Sequence, residues 1–159
     1  SKKSTCLEGT RMSNDCIAIL ESSKLFSGFS AEQLNEVINH LNPKSVTLES
    51  GTRVYKKGDT ADRCWLIQSG KLMLKRSSLR SPFRHMIYNK GSVTGIQGLV
   101  EPDSTRVVSM IADGKVELVE IPHEGIAQLK TDTQALLWRN VSKLLMRKLS
   151  ICLSRESLE

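Results

Sequence analysis

The chain of 159 residues contains no apolar run of the roughly 20 residues needed to cross a bilayer, so no membrane span is expected. Its start, Ser1-Lys2-Lys3-Ser4-Thr5-Cys6, is basic but is not followed by the apolar stretch and small-residue cleavage site of a secretory signal. The four cysteines, Cys6, Cys16, Cys64 and Cys152, form no CxxC pair, and the three histidines, His40, His85 and His123, are equally scattered. No metal-ligand spacing results, and scattered thiols without an extracellular signal suit a reducing compartment, so the expected location is cytoplasmic. A nucleophile elbow, an HExxH pair, a P-loop lysine and a motif-placed carboxylate pair are all missing. Asp59 and Asp62 flank a turn, where such spacing serves turn chemistry and solvation. The expectation is therefore a protein that is not an enzyme, with no catalytic residue and no metal. No repeat, low-complexity tract or second compositional regime divides the chain, which reads as one domain over residues 1–159.

What is present fits a folded unit with a real core: 39% hydrophobic and 25% charged residues over a length that suits a single domain. The net charge of +6 favours nucleic acid, anionic lipid or a phosphorylated ligand, and position must decide among them. Positive charge concentrates at Lys71, Lys75, Arg76, Arg80, Arg84 and Lys90, with Ser77, Ser78, Ser81 and Pro82 marking a loop. That stretch reads either as a solvated hairpin tip or as a contact for an anion or partner.

Along the chain, Ile17, Ile19 and Leu20 suggest a short helix before Ser22-Ser23, after a frayed leading dozen residues. A firmer helix follows Ser30, which can cap, with Gln33 at the reciprocal capping-box position. Its apolar residues Leu34, Val37, Ile38 and Leu41 recur at three- and four-residue steps, and Asn42-Pro43 stops it. From Ser45 the period becomes two. Val46 and Leu48 alternate with polar neighbours, and short strands follow at Val54, Cys64 to Gln68, Lys71 to Lys75, His85 to Tyr88, Val107 to Ala112 and Val116 to Ile121. Turns are expected at Gly51, Gly58-Asp59, Ser69-Gly70, Asn89-Lys90-Gly91 and Asp113-Gly114. Many short strands joined by tight turns imply an antiparallel roll or barrel.

After Pro122 the pattern is helical again, first at His123 to Leu129 and then over about 133–154. Leu137, Val141, Leu144, Leu145, Leu149 and Cys152 form a broad apolar stripe, with Arg139, Lys143, Arg147 and Lys148 on the polar side. The stripe packs on the parent domain, pairs across a dimer, or does both, since Leu137, Leu144 and Ile151 also recur at seven. The fold class is α+β: an antiparallel, jelly-roll-like β-roll over about 44–122, preceded by helices and followed by one long helix.

That order, with Gly51-Thr52-Arg53-Val54-Tyr55-Lys56-Lys57-Gly58-Asp59 and then Trp65-Leu66-Ile67-Gln68-Ser69-Gly70-Lys71-Leu72, resembles the cyclic-nucleotide-binding domain family from roughly Leu25 to Leu153. Each piece alone is a weak signal, and their serial order ahead of a matching ligand loop carries the resemblance. That loop is Gly95-Ile96-Gln97-Gly98-Leu99-Val100-Glu101-Pro102-Asp103-Ser104-Thr105-Arg106-Val107-Val108, which looks like the family's phosphate-binding cassette. In the family, a turn and short helix direct backbone N–H groups at a cyclic phosphate and an arginine supplies the countercharge.

Arg106 stands eleven residues after Gly95, as in the catabolite-activator branch, and Gly98 and Leu99 also match. The resemblance thus implies a ligand site at Gly95, Ile96, Gln97, Gly98, Leu99, Thr105, Arg106 and Val107. Read without it, Arg106 is an arginine entering an apolar strand, needing either a bound anion or an acidic neighbour such as Glu101 or Asp103. Ile96 departs from the pattern, for it occupies the place of the glutamate that accepts a hydrogen bond from the ribose 2′-hydroxyl, and Thr94 replaces a phenylalanine. A lost bond of that kind is worth about 1.5–3 kcal/mol, roughly one to two decades of affinity, which disfavours ordinary cAMP. Gln97 could substitute if the loop shifts by one position.

Two functions follow. One is a regulatory ligand sensor, in which a phosphate-bearing ligand, a cyclic nucleotide or cyclic dinucleotide, is covered by the long helix through Leu145 or Leu149. The other is a nucleotide-independent interaction module on the same fold. A homodimer or protein partner is expected through the C-terminal helix, and no resident cofactor. The catabolite-activator branch carries a DNA-reading helix-turn-helix after that helix, whereas six residues follow it here, so direct DNA binding by this chain is not expected.

Overall fold

A computed structural model describes residues 7–8, 11–12, 14–75 and 88–156. Two short strands, β1 (Leu7–Glu8) and β2 (Arg11–Met12), pair at a stretch expected to be frayed. Then come helix α1 (Asn14–Ser22), a 3-10 turn (Lys24–Phe26) and helix α2 (Ala31–Leu41). The roll consists of β3 (Lys44–Leu48), β4 (Arg53–Tyr55), β5 (Arg63–Lys75), β6 (Val93–Thr94) and β7 (Ser109–Pro122), with a four-residue helix α3 (Gln97–Val100) between the last two. A 3-10 turn (Ile126–Gln128) leads to helix α4 (Thr131–Glu156).

The caps form as their residue types dictate. Ser30 Oγ accepts the Gln33 N–H while Gln33 Oε1 accepts the Ser30 N–H, closing the capping box at the start of α2. Asn42 ends that helix in the left-handed region, φ 48°. The start of α4 is held by a residue from α2: Glu36 Oε1 accepts the Lys130 N–H (2.8 Å), and Glu36 Oε2 accepts the Thr133 hydroxyl (2.6 Å). Where the sequence suggested helix from His123 to Leu129, one 3-10 turn forms. Gly125, at φ 97°, packs so closely on the His40 carbonyl that a Cβ would collide with it.

The sheet is antiparallel in the order β3-β7-β5-β6, and β4 also pairs with β7. Two of the expected turns prove to be bends inside long strands. β5 runs through Ser69-Gly70 and β7 through Asp113-Gly114, and the two remain partners on both sides of the bend, with Leu66 opposite Val119 and Leu72 opposite Ala112. A glycine supplies positive φ for a bulge as readily as for a reversal, and local sequence does not distinguish them. Gly70, at φ 87°, lies where a Cβ would be 2.5 Å from the Lys115 carbonyl oxygen. The last long strand begins at Ser109, so Arg106 and Val107 belong to the loop before it and not to a strand.

Strand alternation divides the core in two. Cys64 and Leu66 of β5, with Val119 and Ile121 of β7, face the helices and join Leu25, Leu34, Val37, Leu41, Leu137 and Val141. Trp65 and Ile67, with Met110, Ala112, Val116 and Leu118, fill the interior of the roll. This is why β5 reads as a continuous apolar run: both of its faces are covered. Helix α4 is fastened at its first half only. Leu137 and Val141 are buried, and Asn140 Nδ2 donates to the carbonyls of Leu25 and Ser27, each at 2.9 Å. Beyond them Leu145, Met146, Leu149 and Leu153 are exposed.

Residues 76–87 lie outside the description, and with them Arg76, Arg80 and Arg84 of the basic hairpin and most of the strand expected at His85 to Tyr88. Tyr88 itself bridges Leu72, and Lys71, Lys75 and Lys90 are exposed. Among the described residues, no helix is long and apolar enough to cross a membrane, and no three His, Cys, Asp or Glu side chains cluster to hold a metal.

Candidate cavity between the roll and the C-terminal helix

The cassette is held against β5 by a close backbone approach. Gly98 of α3 sits so near the backbone N and O of Arg63 that any Cβ would overlap them, and Leu99 beside it is fully buried in the helix-side core. The His123 ring Nδ1 donates to the Leu99 carbonyl (2.9 Å), fixing the far end of α3. Gln97 Nε2 donates to Ser104 Oγ (2.9 Å) and to the Thr105 carbonyl (3.0 Å), so this amide closes the cassette on itself. Thr105 in turn bridges Thr60, and the Arg106 N–H donates to the Asp59 carbonyl (2.8 Å).

The Arg106 side chain points inward and is 3% exposed with its residue. Nη1 donates to the Gly95 carbonyl (3.0 Å) and Nη2 to the Arg63 carbonyl (2.6 Å). Its guanidinium carbon lies 4.6 Å from the Tyr55 ring centre and 5.3 Å from that of Trp65, two rings stacked 5.4 Å apart. Neither acidic neighbour expected from the sequence is its partner, for Arg106 is answered by two carbonyls and two aromatic faces. Burial pulls its pKa below the ordinary arginine value. The ion pairs lie nearby on Arg63, which meets Asp62 at 2.8 Å and Glu120 at 3.5 Å. The hydrogen bond from Arg63, with its positive charge, holds the Asp62 carboxyl below its usual range. Asp59 Oδ2 accepts the Lys56 N–H, which is turn chemistry of the kind its spacing suggested.

A cavity of about 210 Å³ opens between the cassette, the mouth of the roll and α4. Gly95, Ile96, Gln97, Arg106 and Val107 line it, whereas Gly98, Leu99 and Thr105 do not: the first two are spent on packing the cassette and the third on bridging β4's following loop. Of the two candidate lid residues, Leu145 reaches the wall and Leu149 is not part of it. The sequence reading missed Tyr55, Leu74, Tyr88, Val108, Met110 and Lys148 as lining groups.

Lys148 lines the cavity and does not stand on the outer polar side of the helix, where the sequence pattern puts it. It follows Leu145 by three residues, so both project from one face, and its Nζ stands 5.4 Å from the Tyr88 ring centre. That spacing was the available signal. Burial lowers the Lys148 pKa and pushes the Tyr88 phenol up to about 12. Tyr55, whose hydroxyl is 3.0 Å from Thr94 Oγ1, is also raised by burial. Cys64 beneath the sheet is pushed up to about 12 for the same reason, which keeps it a thiol.

An antiparallel roll whose ligand-loop cavity is walled by a long C-terminal helix defines the class. The family model described as "Cyclic nucleotide-binding domain" matches residues 45–132, more than half of the chain, and the protein belongs to that family. No curated protein sequence matches it. Among solved structures it is similar to a cyclic nucleotide-binding domain from Methylobacillus flagellatus KT (TM-score 0.73, 16% identity, 89% of this chain and 80% of that one). It is likewise similar to the catabolite activator protein of Thermus thermophilus (TM-score 0.69, 24% identity, 86% of this chain and 62% of that one). A third is the N-terminal domain of a transcriptional regulator from Streptomyces coelicolor A3(2) (TM-score 0.66, 23% identity, 83% and 93%). At these identities the likeness establishes the fold.

Proposed function

We propose that this chain is a regulatory, non-catalytic ligand-sensing module in which an anion occupying the roll cavity sets the position of the distal half of α4. The observation that carries the reading is the shared wall: the cassette contributes Gly95 to Gln97 and Arg106, and α4 contributes Leu145 and Lys148 to the same cavity. Helix α4 is anchored upstream by Asn140 and Glu36, so a ligand pressing on Leu145 and Lys148 acts on the half beyond those anchors. A ligand shifts such an equilibrium only by its difference in affinity for the two helix positions, and contact with α4 supplies that difference. Phosphate-bearing ligands are the first class to test, cyclic nucleotides and cyclic dinucleotides among them. Arg106 retains donors beyond the two that bond to carbonyls.

The test is a distance measurement between spin labels on the exposed Ser150 and on the roll at Lys44, with cAMP, cGMP and cyclic dinucleotides added in turn. A ligand-dependent change in the distance supports the reading, and saturable binding of any ligand without such a change ends it.

A second reading has its own observation. Leu145 (44% exposed), Met146 (59%), Leu149 (50%) and Leu153 (56%) leave an apolar stripe uncovered on the end of α4. A homodimer or protein partner closing that stripe would make the module an interaction domain, alone or together with sensing. Light scattering of the protein and of Leu149→Lys tests it: a dimer that the lysine dissociates favours the reading, and a monomer throughout removes the homodimer.

A further inference from the structure

Three groups of observations at the cavity bear on what fills it. First, among the described residues the charge on its wall is of one sign: Arg106 and Lys148 line it, and no described aspartate or glutamate does. Second, the two cations are differently placed. Arg106 already donates one N–H from each terminal nitrogen to the carbonyls of Gly95 and Arg63 and stacks its face on Tyr55, so its position is fixed by the cassette. Lys148 has no carboxylate within ion-pair distance among the described residues, and its closest described partner is the face of Tyr88. An ammonium held half-buried over a ring, with no counterion among the described residues, is incompletely neutralised by them. Third, most of the remaining wall is apolar, with Leu74, Ile96, Val107, Val108, Met110 and Leu145 beside the two tyrosine rings; Thr94 and Gln97 are its uncharged polar side chains. Ile96 is 2% exposed and its side chain presents no acceptor, while the Gln97 amide nitrogen is tied to Ser104 and Thr105 and the Thr94 hydroxyl to Tyr55, so a sugar hydroxyl lodged against Ile96 would lose hydrogen bonds to water without a carboxylate to replace them. The volume, about 210 Å³, lies below the roughly 300–1,000 Å³ usual for drug-sized ligands.

We infer that the cavity takes a small organic anion with an apolar body and no ribose, its carboxylate or phosphate head bound by Lys148 of α4 while Arg106 keeps the cassette closed. This inference rests on the sensing reading and narrows its ligand. The charge-reading group then sits on the moving helix, so capture of the anion pulls α4 toward the roll through the contact that recognises it.

Isothermal titration with phenylacetate, phenyl phosphate, 2-phenylethanol and cAMP tests the inference at neutral pH, on the unmodified chain and on Lys148→Met and Lys148→Arg. At least one of the two phenyl anions binds tenfold or more tighter than the neutral alcohol and tighter than cAMP, and the tighter of the pair identifies the head group. Lys148→Met weakens that anion by about tenfold to a hundredfold, the range of a charge-assisted hydrogen bond, and Lys148→Arg restores most of it. The inference is overturned if neither anion binds at millimolar concentration, if the alcohol binds as well as they do, if cAMP binds best, or if Lys148→Met leaves affinity unchanged. The spin-label distance separates the two levels. An anion that binds through Lys148 without moving α4 upholds the ligand class and refutes sensing. If cAMP binds best and moves α4, sensing is upheld and the ligand class refuted.

Discussion

Replacing Arg106 with methionine distinguishes two roles for a buried arginine by the sign of a stability change. If the guanidinium were held in reserve for a ligand, the ligand-free protein would carry an uncompensated buried charge, and its removal would stabilise the fold. The geometry assigns the other sign. Methionine leaves the Arg63 carbonyl without this donor, takes one of two donors from the Gly95 carbonyl, which keeps the Gly98 N–H, and removes the cation from the Tyr55 and Trp65 faces. A part-buried carbonyl that loses its donor costs about 1–3 kcal/mol, and the ring contacts are worth about 0.5–2 kcal/mol. The methionine regains part of this by apolar packing, so the expected loss is about 1–3 kcal/mol. For a chain of this length that corresponds to a fall in Tm of roughly 2–12 °C. Urea unfolding of the ligand-free protein, followed by tryptophan fluorescence because Trp65 stacks beside the site, measures it directly. An unchanged or raised midpoint would refute the argument that Arg106 is primarily the clasp of its own cassette.

Lys148→Met is expected to act oppositely. Burial lowers the Lys148 pKa, so the unfolded chain binds this proton more tightly and the charge costs stability at neutral pH. The variant's urea midpoint therefore lies above that of the parent, and the gap narrows as pH rises toward the ordinary lysine range; a lower midpoint at neutral pH contradicts this. Glu36→Gln weakens the tether between α2 and α4 by about 1 kcal/mol at pH 7, since the site is near the surface. The Thr133 hydroxyl and the Lys130 N–H hold the Glu36 carboxyl below the ordinary glutamate range. The carboxylate's contribution is thus complete above the ordinary glutamate range and lost as pH falls through the lowered pKa, so the parent and variant should converge in thermal melts on the acid side of the ordinary glutamate range. Asn140→Leu strips the buried Leu25 carbonyl and the more exposed Ser27 carbonyl of their donor and should cost about 1–3 kcal/mol, with amide exchange quickening first in the Lys24–Phe26 turn. Equal stability of that variant and the parent would show that water replaces the amide.

Much of the architecture was legible because its signals are local. The capping box at Ser30 and Gln33, the stop at Asn42 and the change from a three-to-four-residue period to a period of two each depend on residues within one turn or one strand. The glycine at position 98 was legible as a cassette feature, although its physical reason, the backbone of Arg63, lies across the fold. Less legible were the two bends at Gly70 and Gly114, where both strands stay paired through the bend, because pairing partners are not written next to a glycine. The apolar stripe of α4 likewise looked continuous from Leu137 to Cys152, yet only its first half finds the core, since the roll ends before the helix does.

By itself, then, the sequence determined the order of elements, the caps, and the membership of a cassette with an arginine and without a carboxylate at Ile96, because these are matters of residue type and short spacing. Only the tertiary structure decided where charges go. It turned Arg106 onto two carbonyls and two rings that come from β4, β5 and the cassette, and it brought Lys148 from the last helix to the mouth of the roll. Both outcomes depend on contacts more than forty residues apart, where desolvation and the need to satisfy buried groups, and not local propensity, select the partner.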